Sequence, residues 1–191
     1  MAKPLILGIG GTLRPNSSSE KALRICLGAA ERAGAEIVAI TGAELSLPMY
    51  SPGSETRSPT AIRLVRLMRE CQGLIVSSPS YHGSLSGLIK NALDYTEDLS
   101  GDPRPYLEGR AVGCIACAGG WQGAGATLAS LRSITHALRG WPTPMGAGIN
   151  AATDPFDAAG NCLDESARFQ LELIGRQVAE FARMRESTLV A

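Results

Sequence analysis

Hydroxyl, glycine and aromatic residues crowd into three short stretches of this chain, each suited to holding an anion or a flat ring. The first, Gly10-Gly11-Thr12-Leu13-Arg14-Pro15-Asn16-Ser17-Ser18-Ser19, joins an apolar run to a helical pattern. Backbone N–H groups at a helix start lack intrahelical acceptors and carry partial positive charge, so hydroxyls and one Arg placed there suit a phosphate. Ser17 or Ser19 could equally be a plain helix cap. The stretch contains neither GxxxxGK[ST] nor GxGxxG, since Gly8, Gly10 and Gly11 are wrongly spaced. A monophosphate therefore fits better than a hydrolysed triphosphate or a dinucleotide fingerprint.

The second stretch runs from Ser78 to Asp94. Within it Tyr81, His82 and Gly83 combine a flat side chain with a main chain that can approach a ring's polar edge closely. Lys90 and Asp94 are i,i+4 neighbours and read as a structural ion pair. The third stretch, Ala118-Gly119-Gly120-Trp121-Gln122-Gly123-Ala124-Gly125, is too glycine-rich for an ordinary connection, which points to close approach of a ligand. Trp121 could touch that ligand, fill the core or meet another subunit.

No catalytic side chain is assigned. His82 and His136 form no triad or metal cluster with the scattered Cys, Asp and Glu residues, and His136 falls inside a helical pattern. Cys114 and Cys117 spell CxxC, but within a strand residues three apart point to opposite faces, so no shared metal or disulfide is expected.

The elements that must position these stretches alternate regularly. Strands are expected at Leu5 to Ile9, Glu36 to Ile40, Leu74 to Ser77, Ala111 to Ala118 and near Met145 to Ile149, with Pro79 closing the third. Between and after them come helical stripes: Ala22 to Ala33, Thr60 to Cys71, about Ser86 to Leu99, about Ala126 to Arg139, and Leu163 to Arg185. The segment Gly42 to Pro59, rich in Pro, Gly and Ser, is expected to be a long loop without regular structure. Such alternation predicts an α/β single domain over residues 1–191, a doubly wound five-stranded parallel sheet in the flavodoxin-like order 2-1-3-4-5. Ligands of that architecture sit beyond the carboxyl ends of the strands, where the three unusual stretches fall.

Lys plus Arg equals Asp plus Glu at 18 each, so no overall field draws the chain to nucleic acid or an anionic membrane. Met1-Ala2-Lys3-Pro4 runs into an apolar stretch too short for a signal peptide, and no run reaches the ~18 apolar residues of a membrane span. Five scattered cysteines suit a reducing compartment. A cytoplasmic location is expected.

Pro79-Ser80-Tyr81-His82-Gly83-Ser84-Leu85-Ser86-Gly87-Leu88-Ile89-Lys90-Asn91-Ala92-Leu93-Asp94 resembles the Pro-x-Tyr-x-Gly-Ser/Gly-x-Ser/Pro-Gly-x-Leu-Lys-Asn-Ala-x-Asp segment of the NADPH-dependent FMN reductase family. Gly11-Thr12-Leu13-Arg14 with Ser17 and Ser19 is similar to that family's Gly-Ser-x-Arg-x-x-Ser loop, and Gly119-Gly120 to its turn after the fourth strand. The matches span Leu5 to about Arg139. Ser19 departs from the Asn, and Ser18 from the apolar or aromatic residue, that relatives often carry.

The resemblance implies FMN as cofactor and NADPH or NADH as hydride donor. It makes Thr12, Arg14, Ser17 and Ser19 the phosphate cradle, and Pro79, Ser80, Tyr81, His82, Gly83 and Ser84 the wall beside the ring. Gly119 and Gly120 fall on the ring's pyrimidine side, with Arg14 a further contact for the dinucleotide. It also implies a homodimer or homotetramer. Reduced flavin would go to a flavin-dependent monooxygenase partner, or stay bound in a quinone, azo or chromate-type reductase. An electron-carrying flavodoxin is disfavoured by the zero net charge and by the Arg in the phosphate loop.

Overall fold

A computed structural model describes residues 3–54 and 56–190. Strand β1 (Leu5–Gly10) pairs in parallel with β2 (Glu36–Thr41) on one side and β3 (Gly73–Tyr81) on the other. Beyond β3 lies β5 (Ala111–Ala118), also parallel, while the short β4 (Ser84–Leu85) turns back antiparallel on β3. The outer edge of β5 is shared by β6 (Trp141–Pro142) and β7 (Ala147–Asn150). The path β2-β1-β3-β5, ending on β6 and β7, is the expected flavodoxin-like order 2-1-3-4-5 with the β4 hairpin strand left out of the count and the fifth position filled by two strands instead of one. Pro142 and Pro144 explain the break, because neither has an N–H to donate to the ladder.

Helices α1 (Ser18–Arg32) and α5 (Glu165–Val190) cover one face of the sheet. The other is covered by α2 (Pro59–Glu70), α3 (Gly87–Asp94) and α4 (Trp121–Ala137). Because strand side chains alternate, Leu7, Ile9, Leu74, Val76 and Cys114 enter the second core while Ile6, Ile75, Ile115 and Cys117 enter the first. The CxxC pair is thus split across the sheet, as expected, and burial pushes the Cys117 thiol up to about 12.

Serines set three helix starts. Ser17 accepts from Glu20 N, Ser58 from Ala61 N and Ser86 from Ile89 N, with Pro59 in the first turn of α2. Arginines set one helix end. Arg110, 1% exposed, donates to the carbonyls of Arg69 and Cys71, each at 3.0 Å, and Arg104 reaches the same two. These are the carbonyls a helix C-terminus leaves unpaired, so a buried cation is matched there without a carboxylate.

Three expectations need correction. The Gly42 to Pro59 segment begins with a 3-10 turn, Gly42–Leu45, whose Leu45 is fully buried. The helix expected from Ser86 to Leu99 is α3 followed by a 3-10 turn, Tyr95–Leu99. Strand β3 runs through Pro79, which sits opposite Cys117 of β5, and ends at Tyr81. Pairing with β4 carries it past the proline.

Backbone contact between α1 and α5 fixes how that layer sits. A Cβ on Gly175 would stand 2.1 Å from Cys26 O and 3.0 Å from Ala29 Cβ. Gly175→Ala should therefore destabilise the fold by about 2–3 kcal/mol, overpacking outweighing the better helix propensity of Ala. Calorimetry is expected to show a melting temperature roughly 5–10 °C lower; an unchanged one would mean that the two helices do not touch.

Candidate functional site

Three connections converge at the carboxyl rim of the sheet and enclose two adjoining cavities. One, of about 170 Å³, is lined by Thr12, Arg14, Ser17, Ser18, Ser19, Pro79, Ser80, Tyr81, Gly119, Cys117, Ala118 and Ala151. The other, of about 330 Å³, shares Thr12, Arg14, Pro79 and Tyr81 and adds Leu13, Ser86, Gly87 and Leu88. The first is walled by a helix start and hydroxyls, whereas the second is mostly apolar.

The loop from β1 to α1 is held from both ends. Gly11 N donates to Ser77 O at 3.3 Å, and Ser77 Oγ donates to Ser19 O at 2.8 Å, which ties the loop to β3 where β1 and β3 part. Thr12 Oγ1 turns locally, donating to Arg14 O and accepting from Arg14 N. Ser17 caps α1 and lies 3.2 Å from the Ser19 hydroxyl, both side chains buried. Its capping role is real, yet it lines the cavity too. The N–H groups of Ser18 and Ser19, in the first turn, have no acceptor within the helix. Arg14 is exposed at the mouth.

Glu20 was not singled out from the sequence. Its carboxylate, 5% exposed, accepts from Asn16 N at 2.9 Å and pairs with Arg24 at 2.6 Å, holding Asn16 at a φ of 57°. The signal was present as Ser17-x-x-Glu20, the capping-box spacing.

The β3–β4 hairpin supplies the second wall. His82 and Gly83, with φ of 53° and 89°, form the two-residue turn between Tyr81 and Ser84. Paired left-handed residues are what a I′ hairpin needs, which accounts for the glycine. Tyr81 lines both cavities, but His82 and Gly83 lie at the hairpin tip and line neither. Ser84 faces a separate groove between the hairpin, α3 and α4. Ser80 lines the smaller cavity while its hydroxyl is engaged with α4.

The third wall is shorter than expected. Only Gly119 and Gly120 connect β5 to α4, because Trp121 to Gly125 already belong to the helix. Gly119 lines the cavity; Gly120 is the N-cap residue of α4 and does not. Trp121 is 64% exposed, so it does not fill the core. Ala151 enters from beyond β7, where the sequence offers no motif.

The polar residues of α3 are structural. Lys90 pairs with Asp94 at 2.5 Å, as the i,i+4 spacing predicted. Asn91, buried, accepts from Tyr50 N at 2.8 Å and donates to Pro48 O at 3.0 Å, which pins the proline-rich segment. Arg57 completes that anchor with two 2.8 Å bonds to Asp98 and stacks 4.8 Å over the Tyr50 ring.

A family model described as NADPH-dependent FMN reductase matches residues 4–154. An NAD(P)H-dependent FMN reductase of Pseudomonas aeruginosa is 28% identical over 177 residues, covering 91% of this chain and 90% of that protein. An FMN-dependent NADPH-azoreductase of Staphylococcus aureus is 34% identical over 98 residues, 51% of this chain and 48% of that one. The chain also resembles the structure of FerB, a flavoenzyme NAD(P)H:(acceptor) oxidoreductase from Paracoccus denitrificans. The TM-score is 0.74 at 21% identity, over 96% of this chain and 99% of that one.

The anchor predicts a pH dependence. Hydrogen bonds from Arg57 hold the Asp98 carboxyl below its ordinary value, against the opposing effect of burial. Its stabilisation is complete above about pH 3.9, the unfolded value, and fades as pH falls below that through the folded pKa. Asp98→Asn should cost about 1–2 kcal/mol at neutral pH. Thermal melts of the two forms should converge as the pH falls below about 3.9 and through the folded pKa, and a constant gap would contradict the ion pair's role.

Proposed function

We propose, for a chain that belongs to the NADPH-dependent FMN reductase family, that the rim cleft is where FMN is held while NADPH or NADH reduces it. Thr12, Arg14, Ser17 and Ser19, with the first-turn N–H groups of α1, would hold the phosphate. Pro79, Tyr81 and the hairpin they belong to would flank the ring, with Gly119 at its pyrimidine edge and Gly120 behind it starting α4. The observation that carries this reading is the convergence of hydroxyls, a helix start and an exposed Arg14 on one small compartment beside a larger apolar one.

The donor set fits a flavin mononucleotide. Its hydroxyl and N–H donors suit a phosphate, and the apolar compartment beside Tyr81 and Leu88 suits a flat ring. When bound, FMN supplies the redox chemistry by accepting hydride directly from the nicotinamide. The protein's own groups bind and orient, so no acid, base or nucleophile is assigned. The backbone N–H group of Gly119 would stabilise negative charge that develops at the ring edge on reduction. Of the wall residues expected from the sequence, His82, Gly83 and Ser84 act by shaping the turn that presents Tyr81.

Likeness to the azoreductase favours a second form of the same reading, in which FMN stays bound and electrons pass to a small oxidant. Release of reduced FMN to a flavin-dependent monooxygenase is the other fate. Leu13 and Tyr81 at the cleft, and Trp121 just beyond Gly119, are 61%, 54% and 64% exposed. Exposed apolar side chains of this size favour assembly as a homodimer or homotetramer, in which a second copy would cover them. No helix among the described residues is long and apolar enough to cross a membrane, and five free thiols support a cytoplasmic setting.

An anaerobic titration with FMN and then NADPH, followed by absorbance, tests the reading. Binding should perturb the flavin spectrum and NADPH should bleach it; no perturbation at millimolar FMN would sink the proposal. Arg14→Ala should weaken FMN about tenfold, the worth of one charge-assisted contact of ~1.4 kcal/mol. Yellow protein as purified would mark retained FMN, whereas colourless protein that turns over added FMN would mark release. Light scattering should give at least twice the chain mass of 20.0 kDa, and a monomer would refute the assembly.

A further inference from the structure

Tyr81 and Gly119 both line the smaller compartment but belong to different elements, the β3–β4 hairpin and the turn that starts α4. Two hydroxyls join those elements. Thr127 Oγ1, on α4, donates to Ser80 Oγ at 2.8 Å, and Ser80 Oγ donates to Gly123 O at 3.2 Å. Among the described residues no other hydrogen bond links the hairpin to α4 or its turn. A hydroxyl has one proton, so Ser80 commits its own to Gly123 and has its rotor fixed by the proton from Thr127. Thr127 itself is fully buried.

Gly123 shows independently that this approach is close. A Cβ there would lie 3.2 Å from both Ser80 Oγ and Ala118 Cβ, tight enough to push these neighbours by a few tenths of an ångström. Thr127 lines neither cavity, which rules out a ligand contact in this geometry.

We propose that Thr127 is a positioning residue for the flavin. Acting through Ser80, it holds Tyr81 on one wall at its distance from the Gly119-Gly120 turn on the other, beyond Pro79 and Cys117 where the pairing of β3 with β5 ends. The inference rests on reading the cleft as the FMN site. Without the Thr127 proton, Ser80 is free to rotate, its bond to Gly123 is no longer enforced, and the hairpin is tied to α4 by packing alone. Small misplacements of binding walls are costly, because contacts to a rigid ring are made together or not at all.

The experiment compares wild type with Thr127→Val, Thr127→Ser and Ser80→Ala by FMN titration and by steady-state kinetics with NADPH. Thr127→Val keeps nearly the same buried volume and replaces the donating hydroxyl by a methyl group. It should raise the FMN dissociation constant and the KM for FMN about tenfold with kcat retained, the signature of lost binding rather than lost chemistry. Thr127→Ser, which restores the donor, should return both to within about twofold of wild type. Ser80→Ala breaks the same link from its other end, should weaken FMN at least as much as Thr127→Val, and keeps the test open if that variant folds poorly. Wild-type affinity in Thr127→Val or Ser80→Ala would overturn the inference. So would Thr127→Ser as impaired as Thr127→Val, since the methyl rather than the hydroxyl would then matter. Wild-type protein that takes up no FMN would overturn the reading of the cleft itself, and this inference with it.

Discussion

A parallel sheet covered by helices on both faces gives polar groups very few places to be. Nearly every residue of β1, β3 and β5 is buried, and the side chains that alternate along them enter one apolar layer or the other. Unsatisfied backbone groups and hydroxyls are tolerated only where the strands end and the chain turns into helices. That confines any polar ligand to the rim. At the carboxyl rim β1 and β3 part, and the bonds between Gly11, Ser77 and Ser19 hold the parted chains at a set distance.

Serine carries much of this arrangement, and most of it inwardly. Ser77 and Ser80 donate to main-chain carbonyls, Ser78 accepts from Ser86 N, and Ser86 caps α3. A hydroxyl already committed to the backbone has little left to offer a ligand. The cleft therefore divides its labour: Arg14 and the helix start face outward, while the serines behind them determine where the walls stand.

Sequence patterning carried far because a doubly wound sheet writes itself in alternation. Apolar runs between helical stripes placed β1, β2 and β5 and predicted the strand order. The same motif that marked the rim named Thr12, Arg14, Ser17, Ser19, Pro79, Ser80, Tyr81 and Gly119, all of which line the cleft. The misses share a cause, which is that local composition does not report distant partners. Gly123 and Gly125 looked like loop, but both belong to α4, which passes close to Ala118 and Ser80 at Gly123. The proline-rich segment looked unstructured because its order comes from Asn91, Tyr95 and Asp98, more than thirty residues away. His82 and Gly83 carried a motif whose reason was a turn, visible only once β4 was seen to pair with β3.

Where the sulfur atoms sit has a chemical consequence. Cys26, Cys71, Cys114 and Cys117 are buried, Cys162 is half-buried, and desolvation raises the pKa of every one of these thiols. Peroxides attack thiolates, so the raised pKa values keep these sulfurs in their less reactive protonated form, and the burial of four of the five limits access as well. Even Cys117, which lines the smaller compartment, is thereby held as a thiol of low nucleophilicity.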